Sequence, residues 1–132
     1  MRETGKSALW TRRLPEPYDT LAPDGSEIRL LGQVRGASMV HCTLPPGGVT
    51  TAVVHRTVEE VWFVVGGRGQ AWRLFAGGEE IIDVEPGVSL TIPLGAVFQF
   101  RTIGEEPLQI VIATSPPWPG DDEAVVRPGY WS

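Results

Sequence analysis

A histidine and a carboxylate, His55 and Glu60, stand five residues apart in a largely apolar, β-branched stretch of this chain. A carboxylate in apolar surroundings needs a partner or a proton, and His55 is the nearest residue for either role. An imidazole beside a carboxylate can take a proton from a substrate carbon or oxygen and return it elsewhere. The pair therefore predicts acid–base catalysis by His55 and Glu60, of the kind that isomerisation, elimination or cyclisation requires.

The glycines around this pair recur at fixed spacing. The stretch 47–69 resembles the first signature of the cupin family. That signature usually reads Gly, five residues, His, one residue, His, four residues, Glu, six residues, Gly. The aligned positions here are Gly47, Val53, His55, Glu60 and Gly67. The second cupin signature usually reads Gly, five residues, Pro, one residue, Gly, two residues, His; it is similar to the positions Gly87, Pro93, Gly95 and Phe98. A valine and a phenylalanine thus stand where the family usually has histidines.

The resemblance covers residues 28–115 and implies an all-β fold, the cupin double-stranded β-helix or jelly-roll barrel, in a single domain. The chain also looks like small single-domain bacterial cupins that carry His-Arg-Thr-Val-Glu-Glu-x-Trp, here at 55–62. Those proteins share the tail Pro-Pro-Trp-Pro-Gly, here at 116–120. The present chain has 132 residues, a length that is enough to form a single hydrophobic core.

Cupins usually hold a divalent metal with up to three histidines and one glutamate, and the resemblance leaves His55 and Glu60. A catalytic metal is generally fixed by three protein ligands. The resemblance therefore implies a degenerate site with no tightly bound metal, or a divalent metal held weakly. A site of two histidines and one carboxylate would need His41, the second of the two histidines, to join His55 and Glu60.

The resemblance also implies a cavity around this pair. Its expected substrate-binding residues are Val53, Trp62, Trp72, Phe98, Phe100 and His41. Such walls favour a hydrophobic or aromatic small molecule, and we favour an enzyme that isomerises, eliminates or cyclises it without a tightly bound metal. Two alternatives stay open: a non-catalytic ligand-binding or sensor cupin, and a metal-dependent oxygenase or isomerase that uses His41, His55 and Glu60.

The elements that must position these residues are short strands. Glycine and proline number 16 and 12, and they divide the chain into apolar pieces of strand length. Strands are predicted near 28–31, 37–44, 50–55, 59–65, 69–75, 79–84, 88–92, 97–102 and 107–114. This even spacing predicts a β-sandwich or barrel. Around the barrel at 28–115 we expect an N-terminal arm at 1–27 and a Pro/Trp-rich C-terminal cap at 116–132.

The predicted strand from Glu60 is apolar on both faces beyond its first residue. Val61, Phe63 and Val65 lie on the face opposite Trp62, so a second sheet or a second subunit must cover them. Cupins commonly dimerise in this way, and we predict a homodimer.

The bulk composition narrows the partners and the compartment. The net charge is −5 and no basic cluster extends beyond Arg12 and Arg13, which argues against nucleic acid as a partner. No apolar run has the length of a signal peptide core or a membrane span, so we expect a cytoplasmic protein that binds no membrane. The single cysteine, Cys42, fits a buried apolar position.

Overall fold

A computed structural model describes residues 9–132, which form two antiparallel β-sheets with no α-helix among them. The strands are β1 (Thr20–Leu21), β2 (Glu27–Gln33), β3 (Ser38–Leu44), β4 (Val53–His55), β5 (Glu59–Gly66), β6 (Arg68–Phe75), β7 (Gly78–Val84), β8 (Ser89–Ile92), β9 (Val97–Ile103), β10 (Leu108–Ser115) and β11 (Ala124–Val126). A 3₁₀ helix, Asp121–Glu123, precedes β11. The predicted all-β jelly-roll barrel is confirmed. Within these residues no helix has the length and apolar character needed to cross a membrane.

From β3 onward the chain crosses repeatedly between the two sheets, and only β6 and β7 follow each other within one sheet. One sheet has the order β1-β2-β3-β10-β5-β8, and the other has the order β11-β4-β9-β6-β7. All nine predicted strands are present, and two short strands, β1 and β11, were not predicted. β1 lies in the predicted N-terminal arm and pairs with β2, whereas β11 lies in the predicted cap and pairs with β4. The first eight residues of the predicted arm lie outside the described residues.

The glycines of the two signatures mark turns of the barrel. Gly47, Gly67, Gly87 and Gly95 all have a positive φ, between 71° and 99°, a conformation that residues with a Cβ adopt at a cost. Gly67 is also limited by space, because a Cβ there would lie 2.2 Å from the carbonyl oxygen of Pro107. The spacing of these glycines is therefore a spacing of turns, which explains why the sequence pattern indicates the fold.

β5 has a buried face and an uncovered face. Glu60, Trp62 and Val64 are buried and point inward. The residues between them are 56% exposed at Val61, 48% exposed at Phe63 and 42% exposed at Val65. The outer face of β5 is thus apolar and uncovered by residues 9–132.

The C-terminal residues lie on the outer face of the five-stranded sheet, which contains β9. The buried side chain of Gln99 holds them: its Oε1 accepts hydrogen bonds from the backbone N–H groups of Tyr130 (2.8 Å) and Trp131 (2.9 Å). Its Nε2 donates to the carbonyl of Trp131 at 3.0 Å. Arg101 lies 4.6 Å from the ring centroid of Trp131 and adds a cation–π contact.

Candidate functional site

A cavity of about 180 Å³ is walled by strands of both sheets. The hairpin at 20–26 and residues 118–124 complete its walls. The polar side chains around it include Asp24, Ser26, His55, Glu60, Thr114 and Asp121. The aromatic side chains around it are Trp62, Phe98, Phe100 and Trp118.

Glu60 lies on β5 directly opposite Thr114 of β10. Its Oε2 accepts a hydrogen bond from the Thr114 hydroxyl, and its Oε1 accepts one from the indole N–H of Trp62, both at 2.9 Å. The residue is 8% exposed, and its burial outweighs these two hydrogen bonds and raises the pKa of Glu60 to about 7. Near neutral pH the carboxyl group is therefore divided between its protonated and ionised forms.

His55 ends β4 and is 6% exposed. Its ring packs edge-on against Phe98 and Trp118, with ring centroids 5.1 Å and 5.3 Å away. Burial lowers the pKa of His55 although the carboxylate of Glu123 acts in the opposite direction, so the imidazole is neutral near pH 7. Its Nδ1 is buried without a hydrogen-bond partner among the described residues. Because buried polar atoms are normally paired, this nitrogen indicates a place for a polar group of a ligand.

The expectation that His55 is the direct partner of Glu60 is wrong. The Glu60 oxygens are bound by Trp62 and Thr114. β4 and β5 belong to different sheets, so the two side chains reach the cavity from different walls. A proton can therefore pass between them by way of a molecule in the cavity.

The predicted apolar wall is found around this pair. Val53, Trp62, Phe98 and Phe100 line the cavity and are almost fully buried. Val53 and Phe98 lie opposite each other in β4 and β9. The ring of Trp62 meets Phe98 and Phe100 edge to face, with centroids 5.5 Å and 5.1 Å apart.

The prediction that Trp72 lines the cavity is wrong. Its neighbour Ala71 packs into the core, and adjacent side chains of a strand point to opposite faces. Trp72 therefore faces outward, where its indole N–H donates to Glu79 at 2.7 Å and its ring packs against Tyr130. It is buried because the C-terminal residues cover it.

The prediction that His41 lines the cavity is also wrong. Val40 and Cys42, its neighbours on β3, line the cavity, so His41 lies on the outer face of the six-stranded sheet. Its Nε2 is 3.1 Å from Oε1 of Gln109. His41 therefore cannot complete a metal site with His55 and Glu60.

The side chains around the cavity do not fit a divalent metal. Among residues 9–132, no three His, Cys, Asp or Glu side chains are grouped closely enough to hold an ion. Val53 and Phe98, at the places where cupin signatures have histidines, offer no donor atom. The donors left at the signature positions are one imidazole and the hydrogen-bonded carboxylate of Glu60, fewer than a catalytic metal requires, and the carboxylates of Asp24 and Asp121 do not group with them closely enough to complete a site.

Asp24 is a cavity residue that the sequence analysis missed. Its Oδ1 accepts hydrogen bonds from the backbone N–H and the hydroxyl of Ser26, at 2.9 Å and 2.7 Å. Burial raises the pKa of Asp24 although these hydrogen bonds act to lower it. The sequence Pro23-Asp24-Gly25 predicts only a turn, and no spacing signal connects it with the signatures.

Two residues of the predicted cap position His55, and the sequence analysis did not identify their role. Trp118 packs against the ring, and its proline-rich motif was the only signal for it. Glu123 accepts hydrogen bonds from the Thr57 hydroxyl at 2.7 Å and the Val58 N–H at 2.9 Å. Burial would raise the pKa of Glu123, but its hydrogen bonds outweigh burial and lower it. The ionised carboxylate therefore ties the C-terminal segment to the loop that follows His55.

Comparisons with known proteins agree with this architecture. The family model described as "Cupin domain" matches residues 40–114. The chain is 28% identical over 126 residues to "Xanthan biosynthesis protein XanB" from Xanthomonas campestris pv. campestris, a match that covers 95% of this chain and 25% of that protein. This chain thus spans about a quarter of the length of that relative.

Two further matches have lengths closer to that of this chain. "Uncharacterized protein MJ1618" from Methanocaldococcus jannaschii is 30% identical over 119 residues, covering 83% of this chain and 92% of that protein. The structure of KdgF from Halomonas sp. superposes with a TM-score of 0.63 at 18% identity, covering 74% of this chain and 83% of that chain. At this identity the superposition demonstrates a shared fold.

Proposed function

The chain belongs to the cupin family, and we propose that its barrel binds a small, largely apolar molecule and moves a proton on it by acid–base catalysis, with no tightly bound metal. The observation that carries this proposal is one cavity lined by two complementary groups. His55 supplies a neutral, buried imidazole with an unpaired nitrogen, and Glu60 supplies a carboxyl group whose pKa is about 7. Acid–base catalysis is most efficient when both groups titrate near the working pH.

In the proposed reaction the imidazole of His55 accepts a proton from a C–H or O–H bond of the substrate. The electron pair of that bond moves into the substrate's own π system, and the protonated carboxyl group of Glu60 donates a proton to a second substrate atom. The substrate is neither oxidised nor reduced, so the product is an isomer. If a leaving group or a new ring bond takes up the electrons instead, the same transfers give an elimination or a cyclisation.

The dimensions of the cavity limit the substrate. A cavity of about 150 Å³ holds one benzene molecule, and the cavity here measures about 180 Å³. A molecule with one ring, or a branched aliphatic chain of similar volume, fits these walls. The apolar surfaces of Trp62, Phe98 and Phe100 favour such a molecule over a fully hydrated one.

Hydrogen exchange tests the proposal without a named substrate. Single-ring ketones such as phenylacetone would first be screened for binding by ligand-observed NMR and then incubated with the protein in D₂O. We expect the wild-type protein to accelerate exchange of the α-hydrogens, and the His55→Gln variant to bind the ketone without exchanging them. Ketones that bind but exchange no faster with wild type than with His55→Gln would contradict acid–base catalysis by this residue.

Binding without turnover is a second candidate. The hydrogen bonds from Trp62 and Thr114 to both Glu60 oxygens are also what a structural carboxyl group would have. In that case the cavity holds a compound and releases it unchanged, as in a sensor. A ligand that raises the melting temperature and undergoes no exchange in the wild type would favour this candidate.

The absence of a tightly bound metal is tested by elemental analysis. The protein would be purified without chelator or nickel and then incubated with iron, manganese, zinc and nickel in turn. Since no three His, Cys, Asp or Glu side chains among residues 9–132 are grouped closely enough to hold an ion, we expect far less than one ion per chain after desalting. Retention close to one ion per chain would overturn this part of the proposal.

We also propose that two copies of the chain associate through the outer face of β5. The apolar side chains of Val61, Phe63 and Val65 are about half exposed there. Contiguous exposed apolar surface of this kind is typical of interfaces between proteins. A symmetric dimer would pair the same strand from each copy.

A further inference from the structure

We propose that the ligand of the cavity is a small organic cation, a protonated amine carried on a body about the size of one aromatic ring. The inference rests on the proposed function, because it assigns the substrate class of the same cavity. It depends on the charges that line the cavity, on the unpaired nitrogen of His55 and on the aromatic surfaces around them.

The charged residues of the cavity wall are all acidic. Asp24 and Glu60 lie within it, and the exposed residue Asp121 lies at its border. None of the wall residues within 9–132 is Lys or Arg. An anionic ligand would therefore find no opposite charge and would be repelled by these carboxyl groups.

The carboxyl group of Asp24 is oriented to accept a hydrogen bond from a donor group of the ligand. Both hydrogen bonds from Ser26 go to Oδ1, which orients the carboxyl group and leaves Oδ2 available to a ligand. Ser26 itself is buried, 1% exposed, so this orientation is part of the packed fold. An ammonium group has three N–H donors and can reach Oδ2 and a second acceptor at once.

The two buried carboxyl groups also favour a cation energetically. Burial raises the pKa of both Asp24 and Glu60, and the negative charge of Asp24 contributes to the rise at Glu60. A positive charge beside Asp24 reverses this effect because it stabilises the ionised carboxylate of Asp24. The ligand's charge thus replaces the compensation that a buried carboxylate needs.

His55 and the aromatic rings are compatible with the same ligand. The imidazole is neutral near pH 7 and does not repel a cation. The residue is 6% exposed, and its buried Nδ1 has no hydrogen-bond partner among the described residues. The rings of Trp62 and Trp118 border the same space. Aromatic faces attract ammonium groups, most strongly where water is excluded.

Three probes with the same ring test the charge assignment: benzylamine, benzyl alcohol and benzoate. Isothermal titration calorimetry at pH 7.5 would measure their affinities for the wild-type protein. We expect benzylamine to bind at least about tenfold more tightly than benzyl alcohol, since a charged hydrogen bond is stronger than a neutral one. Benzoate should bind most weakly.

Two variants decide whether Asp24 is responsible. Asp24→Asn keeps the size of the side chain and an oxygen for Ser26, and it should reduce the preference for benzylamine over benzyl alcohol to about threefold or less. Glu59→Gln removes the same charge from an exposed position beside Glu60 that does not line the cavity, and it should keep the full preference. If Asp24→Asn no longer binds benzyl alcohol, Glu60→Gln takes its place in the comparison.

The outcomes separate this inference from the proposed function. If benzoate binds as tightly as benzylamine, or if the variants inside the cavity keep the full amine preference, the assignment of a cation is wrong and the binding cavity stands. If none of the three probes binds, both the ligand class and the proposed binding function are wrong. A tenfold preference that disappears in Asp24→Asn and persists in Glu59→Gln supports the cation.

Discussion

The two histidines of this chain lie in contrasting regions, His41 on the outer face of the six-stranded sheet and His55 on the cavity wall. Both are buried, both have an Nδ1 without a hydrogen-bond partner among the described residues, and burial lowers the pKa of both. Their surroundings differ. The Nε2 of His41 is close to Gln109, whereas the ring of His55 packs against aromatic rings and borders a cavity.

The contrast teaches that burial and a perturbed pKa do not by themselves identify a site. A group becomes a candidate for chemistry when the space beside it can hold another molecule. The inner wall has that space, and we therefore assign ligand chemistry to it. The outer face of β5 instead has exposed apolar side chains, and we assign it to assembly.

Replacing each histidine by glutamine is expected to give the largest difference between the two regions. His55→Gln should lower the rate of ketone hydrogen exchange by about 10²- to 10⁴-fold, the usual contribution of a general base. His41→Gln should leave the rate nearly unchanged and cost about 1 kcal/mol of stability, because its contact with Gln109 is lost. NMR exchange rates and urea unfolding measure the two effects. An equal loss of rate in both variants would remove the distinction between the two regions.

The pH dependence of stability should distinguish Glu60 in the cavity from its exposed neighbour Glu59. The pKa of Glu60 is about 7 in the folded state, and we take the usual value of 4.5 for the unfolded state. Between these values the folded state binds more protons than the unfolded state, so this group's contribution falls as pH rises. Between pH 4 and pH 8 wild type should therefore lose about 3 kcal/mol relative to Glu60→Gln.

Urea unfolding at several pH values measures this difference. The two histidines contribute in the opposite direction, because their pKa values are lowered on folding. Subtracting the variant's free energy of unfolding from that of the wild type at each pH cancels this contribution. Glu59→Gln is the matched control and should follow the wild-type pH profile. Parallel profiles for wild type and Glu60→Gln would show that the cavity does not perturb this carboxyl group.

Two exposed phenylalanines give the smallest predicted effect. Phe63 on β5 is 48% exposed and Phe75 on β6 is 46% exposed. Phe63→Ser should weaken the proposed dimer by about tenfold in Kd, since buried apolar area is lost from both copies. Phe75→Ser lies on the other sheet and should leave association unchanged. Light scattering over a range of concentrations measures both, and a wild type that stays monomeric would refute the interface.

Much of the fold could be predicted because single glycines mark its turns. The signature glycines lie where φ is positive, and the alternation from Glu60 to Val65 assigns the two faces of β5. β1 and β11 escaped prediction since strands of two and three residues carry no periodicity, and their pairing with β2 and β4 comes from tertiary contacts.

The site was predicted in part for the same reason. Glu60 and Phe98 have a place in the signatures, and both line the cavity. His41 and Trp72 were placed in the cavity wrongly because polar and apolar side chains do not alternate cleanly along β3 and β6, so only the packing of neighbours fixes their orientation. Asp24 was missed because it comes from a segment distant from the signatures in sequence, joined to the barrel by folding alone.

The cavity wall is formed partly by the matched cupin domain and partly by the segments on either side of it. The family match ends at residues 40 and 114, yet Asp24, Trp118 and Asp121, which border the cavity, lie outside it. The barrel and the flanks that border its cavity can therefore be varied separately. We expect that grafting the flanks of another cupin onto this barrel would change the proposed ligand preference while the turns of the barrel stayed unchanged.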